Sequence, residues 1–280
     1  MKNPKILYIL IGAFCIFAII AGIYEQFINS DTAQFNVEAN NEQGSVASTH
    51  TQEQLRSEFN QLFTNTINLG SFDTTGISKV DATKEIVYSA YDIDEDTENY
   101  EINIHIPVIN INNENAILLN QNTQELFVNK ANEVLQTQGV TSRTIYSIDY
   151  VAYVNNNILS LVIKSTLKEG NSPQRVIVQT YNYNLETNTQ ASLVDLITIK
   201  MLNTDEVNAK IKEVVTAANA EDAALQSMGY NQVYVRDLES NIYTVENASS
   251  YFLGSNGELY IVYAYGNSEF TSKMDIVKFD

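Results

Sequence analysis

The sequence predicts an α+β fold: an N-terminal transmembrane helix, then antiparallel sheets with helices packed on one side. Three observations predict it. An uncharged apolar run opens the chain, segments of period-two alternation recur from residue 86 onward, and helical-period segments stand between them, joined by short turns rich in Asn and Gly.

The opening run, residues 6–24, is 19 residues long without a charge. As an α-helix it reaches about 28 Å, close to a hydrocarbon core of ~30 Å. Lys2 and Lys5 precede it, while Glu25 and Asp31 follow, so the positive-inside rule places the N-terminus in the cytoplasm and the remainder outside. Abundant Asn, Ile, Lys and Tyr with no Trp reads as an AT-rich bacterial genome, and the expected location is a bacterial cell membrane, crossed once. Cleavage near Ala18 or Ala21 is the other reading of the run, although it exceeds the roughly 7–15 apolar residues of a signal peptide. Lipid attachment at Cys15 is disfavoured because Phe14 stands where a small residue is needed.

The expected organisation is a cytoplasmic stub and anchor at 1–28, a polar tether and amphipathic helix at 29–69, and an extracytoplasmic domain at 70–280 with halves at 70–168 and 169–280. Residues 29–52 lack any hydrophobic period, and as a random coil they reach roughly 25–30 Å. Leu55, Phe59, Leu62, Phe63 and Thr66 then share one helical face, and Thr51 with Gln54 fits a capping box. This helix either packs on the domain or acts as a stalk.

Residues 86–91, an acidic turn, and residues 100–111 read as a β-hairpin with Ile102, Ile104, Ile106 and Val108 on one face. Asn113 caps a helix over 114–138, with Phe127, Ala131, Val134 and Leu135 as its stripe and Gly139 as its stop. Strands at 144–154 and 158–166 are joined through Asn155, Asn156 and Asn157, residue types that tolerate the positive φ of a tight turn. A strand at 175–185 completes an antiparallel meander. Helices follow at 192–199 and 204–218, with a third near 220–228. Strands at 250–253, 258–263 and 273–279 close the chain, the first two joined by an Asn256–Gly257 turn.

After Lys5 the chain carries 14 Lys and Arg against 34 Asp and Glu. Such a surface repels phosphate backbones, which argues against a nucleic-acid partner and favours a cationic one; solubility alone is the plainer explanation. No catalytic, cofactor-binding or metal-ligating residue emerges. Asp92, Asp94 and Asp96 copy the start of a calcium loop, but Thr97 and Asn103 stand where its Gly and bidentate Glu belong, so the cluster reads as a solvated hairpin tip. His50 lies in the tether and His105 is out of phase with its apolar neighbours, leaving a transition metal without ligands. No nucleophile motif, P-loop or dinucleotide fingerprint occurs. Tyr146, Tyr150, Tyr153, Tyr181, Tyr183, Tyr260, Tyr263 and Tyr265 are the aromatic supply, suited to sheet packing or to an interface.

Four stretches carry a family resemblance: YEINIHIPVINI from Tyr100, NNILSLV from Asn156, VQTYNYNLETNTQASLVDL from Val178, and YFLGSNGELYIVYAY from Tyr251. Together they resemble the bacterial domain of unknown function that forms the lysozyme-sensing ectodomain of the sigma-V-type anti-sigma factor and precedes some peptidoglycan deacetylase domains. The resemblance covers about residues 70–280. Residues 169–173 replace a Gly-Ala-His element of the family, and Asn188 stands at its turn Gly. The resemblance implies a sensing or binding module of the cell envelope, with lysozyme or another cell-wall-associated ligand as partner. With five residues ahead of the apolar run, release of a sigma factor by this chain alone is not expected, and no deacetylase domain is expected after Asp280. The function read from the sequence is therefore a membrane-anchored, non-enzymatic binding module. An accessory scaffold of a membrane complex is the alternative, and an envelope hydrolase a distant third.

Overall fold

The computed structural model describes residues 51–136, 142–230, 233–234, 236–264 and 273–280. The expected anchor and tether, Cys15, His50, Gly139 and Tyr265 lie outside these residues. Among the described residues no helix is long and apolar enough to cross a membrane.

Helix α1 (Gln52–Gln61) begins at the anticipated capping box, with the Thr51 hydroxyl accepting from Gln54 N and the Gln54 side chain accepting from Thr51 N. Leu55 and Phe59 are buried, so the helix packs on the domain. Thr66 does not continue its face. Asn65 turns left-handed at φ 56°, its amide oxygen accepts from Tyr150 N, and Thr66–Asn68 becomes the short strand β1.

Strands β2 (Val87–Asp96) and β3 (Tyr100–Ile109) form the expected hairpin. Two details differ. The acidic residues 92–96 belong to the strand itself, not to its tip, and a bulge at Ala90 shifts the register between Ser89 and Tyr91. The core face accordingly passes from Ile106 to Ile109, leaving Val108 only half buried. A bulge re-aims every side chain beyond it, which strict alternation does not reveal.

The Asn113-capped helix follows as α2 (Glu114–Thr123), a π-helical turn (Gln124–Val128) and α3 (Asn129–Leu135). It crosses over to β4 (Thr144–Asn155), which runs parallel to β3. Further along the same edge, β4 pairs in parallel with β1. Strands β5 (Ile158–Glu169) and β6 (Arg175–Asn184) then add antiparallel, and the short β7 (Thr189–Gln190) completes a seven-stranded sheet. The meander is as expected, but the sheet is mixed. At the β4–β5 turn Asn156 and Asn157 take φ 48° and 63°, the left-handed pair that a two-residue hairpin needs.

Helix α4 (Leu193–Ile199) and helix α5 (Thr204–Ser227) each start with a capping box, from Ser192 and Asn203. The segment expected to be a separate helix near 220–228 is the continuation of α5. Strands β8 (Ser250–Leu253), β9 (Leu259–Ala264) and β10 (Met274–Phe279) form a second, antiparallel sheet. In the β8–β9 turn Gly257 alone has positive φ (80°) and its N–H bonds Gly254 O, while Gly254 N bonds Glu258 O. This is a type I turn with a glycine bulge, not the two-residue Asn-Gly turn expected.

Three clusters of buried side chains set the layering. Tyr146, Ile148, Leu161 and Ile163 on one face of the large sheet meet Ala116, Phe127 and Ala131 of the α2–α3 helix. On its other face Val151 and Val162 meet Phe252, Val262 and Ile276 of the small sheet, with Leu55 and Phe59 of α1. The far face of the small sheet, through Leu259, Ile261 and Val277, meets Leu196, Val207 and Ile211 of α4 and α5. Helices thus cover both outer sides, not one. The reason is that β9 is buried on both faces, from Leu259 to Tyr263, so each face needs its own cover.

The small sheet is sealed at both edges by side chains. Gln52 of α1 donates to Ile276 O and accepts from Ile276 N, and Arg56 Nε donates to Met274 O at 2.6 Å, so α1 satisfies the open edge of β10. At the opposite edge Thr180 Oγ1 accepts from Tyr251 N, Asn182 donates to Tyr251 O, and Ser160 accepts from Leu253 N. These contacts explain why Gln52, Ser160 and Asn182 are buried polar residues.

Candidate functional site

Two surfaces and one buried cluster concentrate polar chemistry. The first surface is the outer edge of β2. Its carboxylates Asp92, Asp94, Glu95 and Asp96, with Glu98 and Glu101 beside them, are exposed or half exposed. Among the described residues β2 pairs only with β3, which leaves the ladder groups of its other side open. His105 Nδ1 lies 2.8 Å from Asp92 Oδ1, as its polar-side position implied, and Arg143 bridges Asp96 and Glu101 at 2.5 and 2.9 Å. With Arg143 41% and Asp96 68% exposed, that bridge contributes little to stability. The Tyr100 hydroxyl donates to Glu95 at 2.9 Å, and this bond raises the phenol above its ordinary range.

The second is a groove of about 340 Å³ between α1 and the large sheet, floored by Phe59, Val176 and Met274. Its rim carries Arg56, Asn60, Lys164, Thr166 and Gln174. None of these eight lining residues is a carboxylate, in a chain with 34 acidic residues. Lys164 Nζ donates to Asn60 Oδ1 at 3.2 Å and sits 4.5 Å from the centre of the Phe63 ring. Burial pulls its ammonium below the ordinary lysine range, only partly opposed by Asp149.

The buried cluster is centred on Asp275 in β10, which is fully buried. Its Oδ2 accepts from Arg236 Nε at 2.6 Å and from the Tyr243 hydroxyl at 3.2 Å; its Oδ1 accepts from Arg236 at 2.7 Å and from Arg56 at 3.1 Å. Arg236 also pairs with Asp222 of α5 at 2.6 Å. Burial, then the Asp275 charge, raises the Tyr243 phenol. Every named charge has a charged partner, so the cluster staples α1, α5 and residues 236–243 to the small sheet and has the character of a structural network.

Of the two roles expected of the tyrosines, sheet packing or an interface, the structure shows packing. Tyr146, Tyr150, Tyr153, Tyr181, Tyr183, Tyr260 and Tyr263 are all buried at 7% exposure or less, so they serve packing. The groove is not acidic. Phe59 apart, its residues escaped notice in the sequence, although Lys164 carried a signal: it alternates with Ser160, Val162 and Thr166, where an inward lysine is out of pattern. Among the described residues no group of three or more His, Cys, Asp or Glu is placed to hold a metal ion.

No family model matches the sequence, and no curated protein matches it. Among solved structures, a DUF3298 family protein from Pseudomonas aeruginosa PAO1 is similar at 12% identity and TM-score 0.38, over 70% of this chain and 88% of that one. A member of the same family from Bacteroides fragilis is similar at 12% identity and TM-score 0.35, over 69% of this chain and 89% of that one. Likeness of this degree assigns neither family nor activity.

Proposed function

We propose that the chain is a membrane-anchored extracytoplasmic binding module that recognises a basic protein or cell-wall ligand, and that the open edge of β2 is its contact surface. The observation that carries this reading is a contrast between edges. Both edges of the small sheet are sealed by side-chain hydrogen bonds, yet among the described residues the ten-residue β2 keeps its outer ladder free and lines it with carboxylates. An edge of this kind accepts an added strand through main-chain bonds, and its negative charge selects a cationic one. The apolar face of α1 is occupied by the domain itself, so a scaffold role for that helix has no free apolar face to use.

Charges on an edge strand also protect it from pairing with other copies, and the two roles separate by experiment. Full-length protein in a non-ionic detergent is titrated calorimetrically with lysozyme, the ligand that the family resemblance suggests. Binding that survives 150 mM salt and is lost in Asp94→Lys/Asp96→Lys supports recognition. No heat at low salt removes lysozyme, and self-association of the charge-reversed variant without any ligand assigns the carboxylates to edge protection alone.

A further inference from the structure

We infer that the groove between α1 and the large sheet is a second, independent binding site, one that takes a small ligand ending in a carboxylate. Sign is the first argument. The lining excludes acidic side chains while gathering two of the 16 cationic residues of the chain.

Energetics gives the second argument. Lys164 occupies an inward position between Val162 and Thr166 where an apolar side chain would pack, and its ammonium is held partly desolvated at a cost to the fold. Of its three N–H donors one goes to Asn60 Oδ1, and Phe63 steadies the ammonium from one side. A charge kept at such a cost and aimed into a groove is characteristic of a binding residue.

Charge balance selects the anion. The Arg56 guanidinium is matched by Asp275 and fixed by Met274 O, which holds it in place as a rigid donor without surplus charge. Lys164, partly balanced by Asp149 opposite it on β4, therefore supplies at most a single positive charge, which suits a monoanionic carboxylate better than a phosphate dianion. Asn60, Thr166 and Gln174 add amide and hydroxyl groups around it, and Phe59 with Val176 forms an apolar floor. The volume of about 340 Å³ fits a body the size of a dipeptide or a single sugar.

A peptide C-terminus and a sugar acid both offer this chemistry, and two matched pairs of probes separate them. N-acetyl-alanyl-alanine is compared with its C-terminal amide, and glucuronate with glucose, by titration of full-length protein in non-ionic detergent. The expected result is that one acid binds and its neutral counterpart binds roughly 10- to 100-fold more weakly, the loss that follows from removing a charge-assisted hydrogen bond. Lys164→Met then weakens the acid by a similar factor while Lys164→Arg restores part of it. The inference is overturned if neither acid binds, if each neutral counterpart matches its acid, or if Lys164→Met leaves affinity unchanged. Should Lys164→Met fail to fold, the acid-against-neutral comparison on the wild-type chain decides alone. Asp94→Lys/Asp96→Lys leaves acid binding intact, so this site and the β2 edge stand or fall separately.

Discussion

Asp275 is the residue on which the most separate parts of the chain converge, since Arg56, Arg236 and Tyr243 all donate to it inside the fold. A buried carboxylate with four hydrogen bonds is satisfied; a buried arginine that loses it is not. Asp275→Ala is expected to cost about 3–5 kcal/mol, measured as a drop in the urea midpoint at unchanged slope, because Arg236, 1% exposed, loses the acceptor of its Nε and Nη2 and keeps Asp222 at Nη1. Tyr183 presents the opposite case, a fully buried tyrosine whose hydroxyl finds no hydrogen-bond partner among the described residues. Neither role was legible beforehand. Asp275 sits in an apolar strand pattern as a lone acid, and only the fold reveals that two arginines more than thirty positions away arrive at it.

At the scale of elements, what could be read locally was read. Capping boxes and the Asn156–Asn157 turn are set by neighbours in sequence, so Thr51, Asn113 and the β4–β5 hairpin appear as expected. What depends on distant chain was missed. The parallel pairing of β3 with β4 was not read, the sheets being expected to be antiparallel, although a strand, a helix and a strand in succession allow it, since parallel neighbours need a crossover of that length. The three residues of β1 carry no pattern long enough to read, and exist as a strand only because β3 leaves the edge of β4 vacant beyond Ile148. The groove was invisible for the same reason, its sides coming from α1 and from strands more than a hundred residues later. Gln52 tests the sealing of β10. Gln52→Leu keeps the bulk but leaves Ile276 N and O buried without a partner, and a loss of roughly 2–4 kcal/mol in thermal or urea unfolding is expected. Thr51→Ala, which removes only the cap, is expected to cost about 1 kcal/mol in the same measurement.

Across the whole molecule, the stack of helix, sheet, sheet and helix buries seven tyrosines among the described residues, and this gives it a defined alkaline limit. Burial raises the phenols of Tyr146, Tyr150, Tyr181 and Tyr263, and pushes Tyr153 up to about 12. In the unfolded chain tyrosines ionise near pH 10. Between about pH 10 and 12 the unfolded state releases protons that the folded state retains, so stability is whole below pH 10 and falls as pH rises through that window. Tyrosinate absorbance and far-ultraviolet dichroism are expected to change together there; gradual ionisation with dichroism intact would contradict the buried placement. The four-layer stack itself was foreshadowed by residues 158–163 and 259–263, nearly unbroken apolar runs that signal strands covered on both faces. The clasp between Gln52 and Ile276 joins positions 224 residues apart, nearly the full length of the domain. During synthesis, then, Gln52 lacks the strand edge it seals until β10 has emerged more than two hundred residues later, so this contact is among the last in the domain to form.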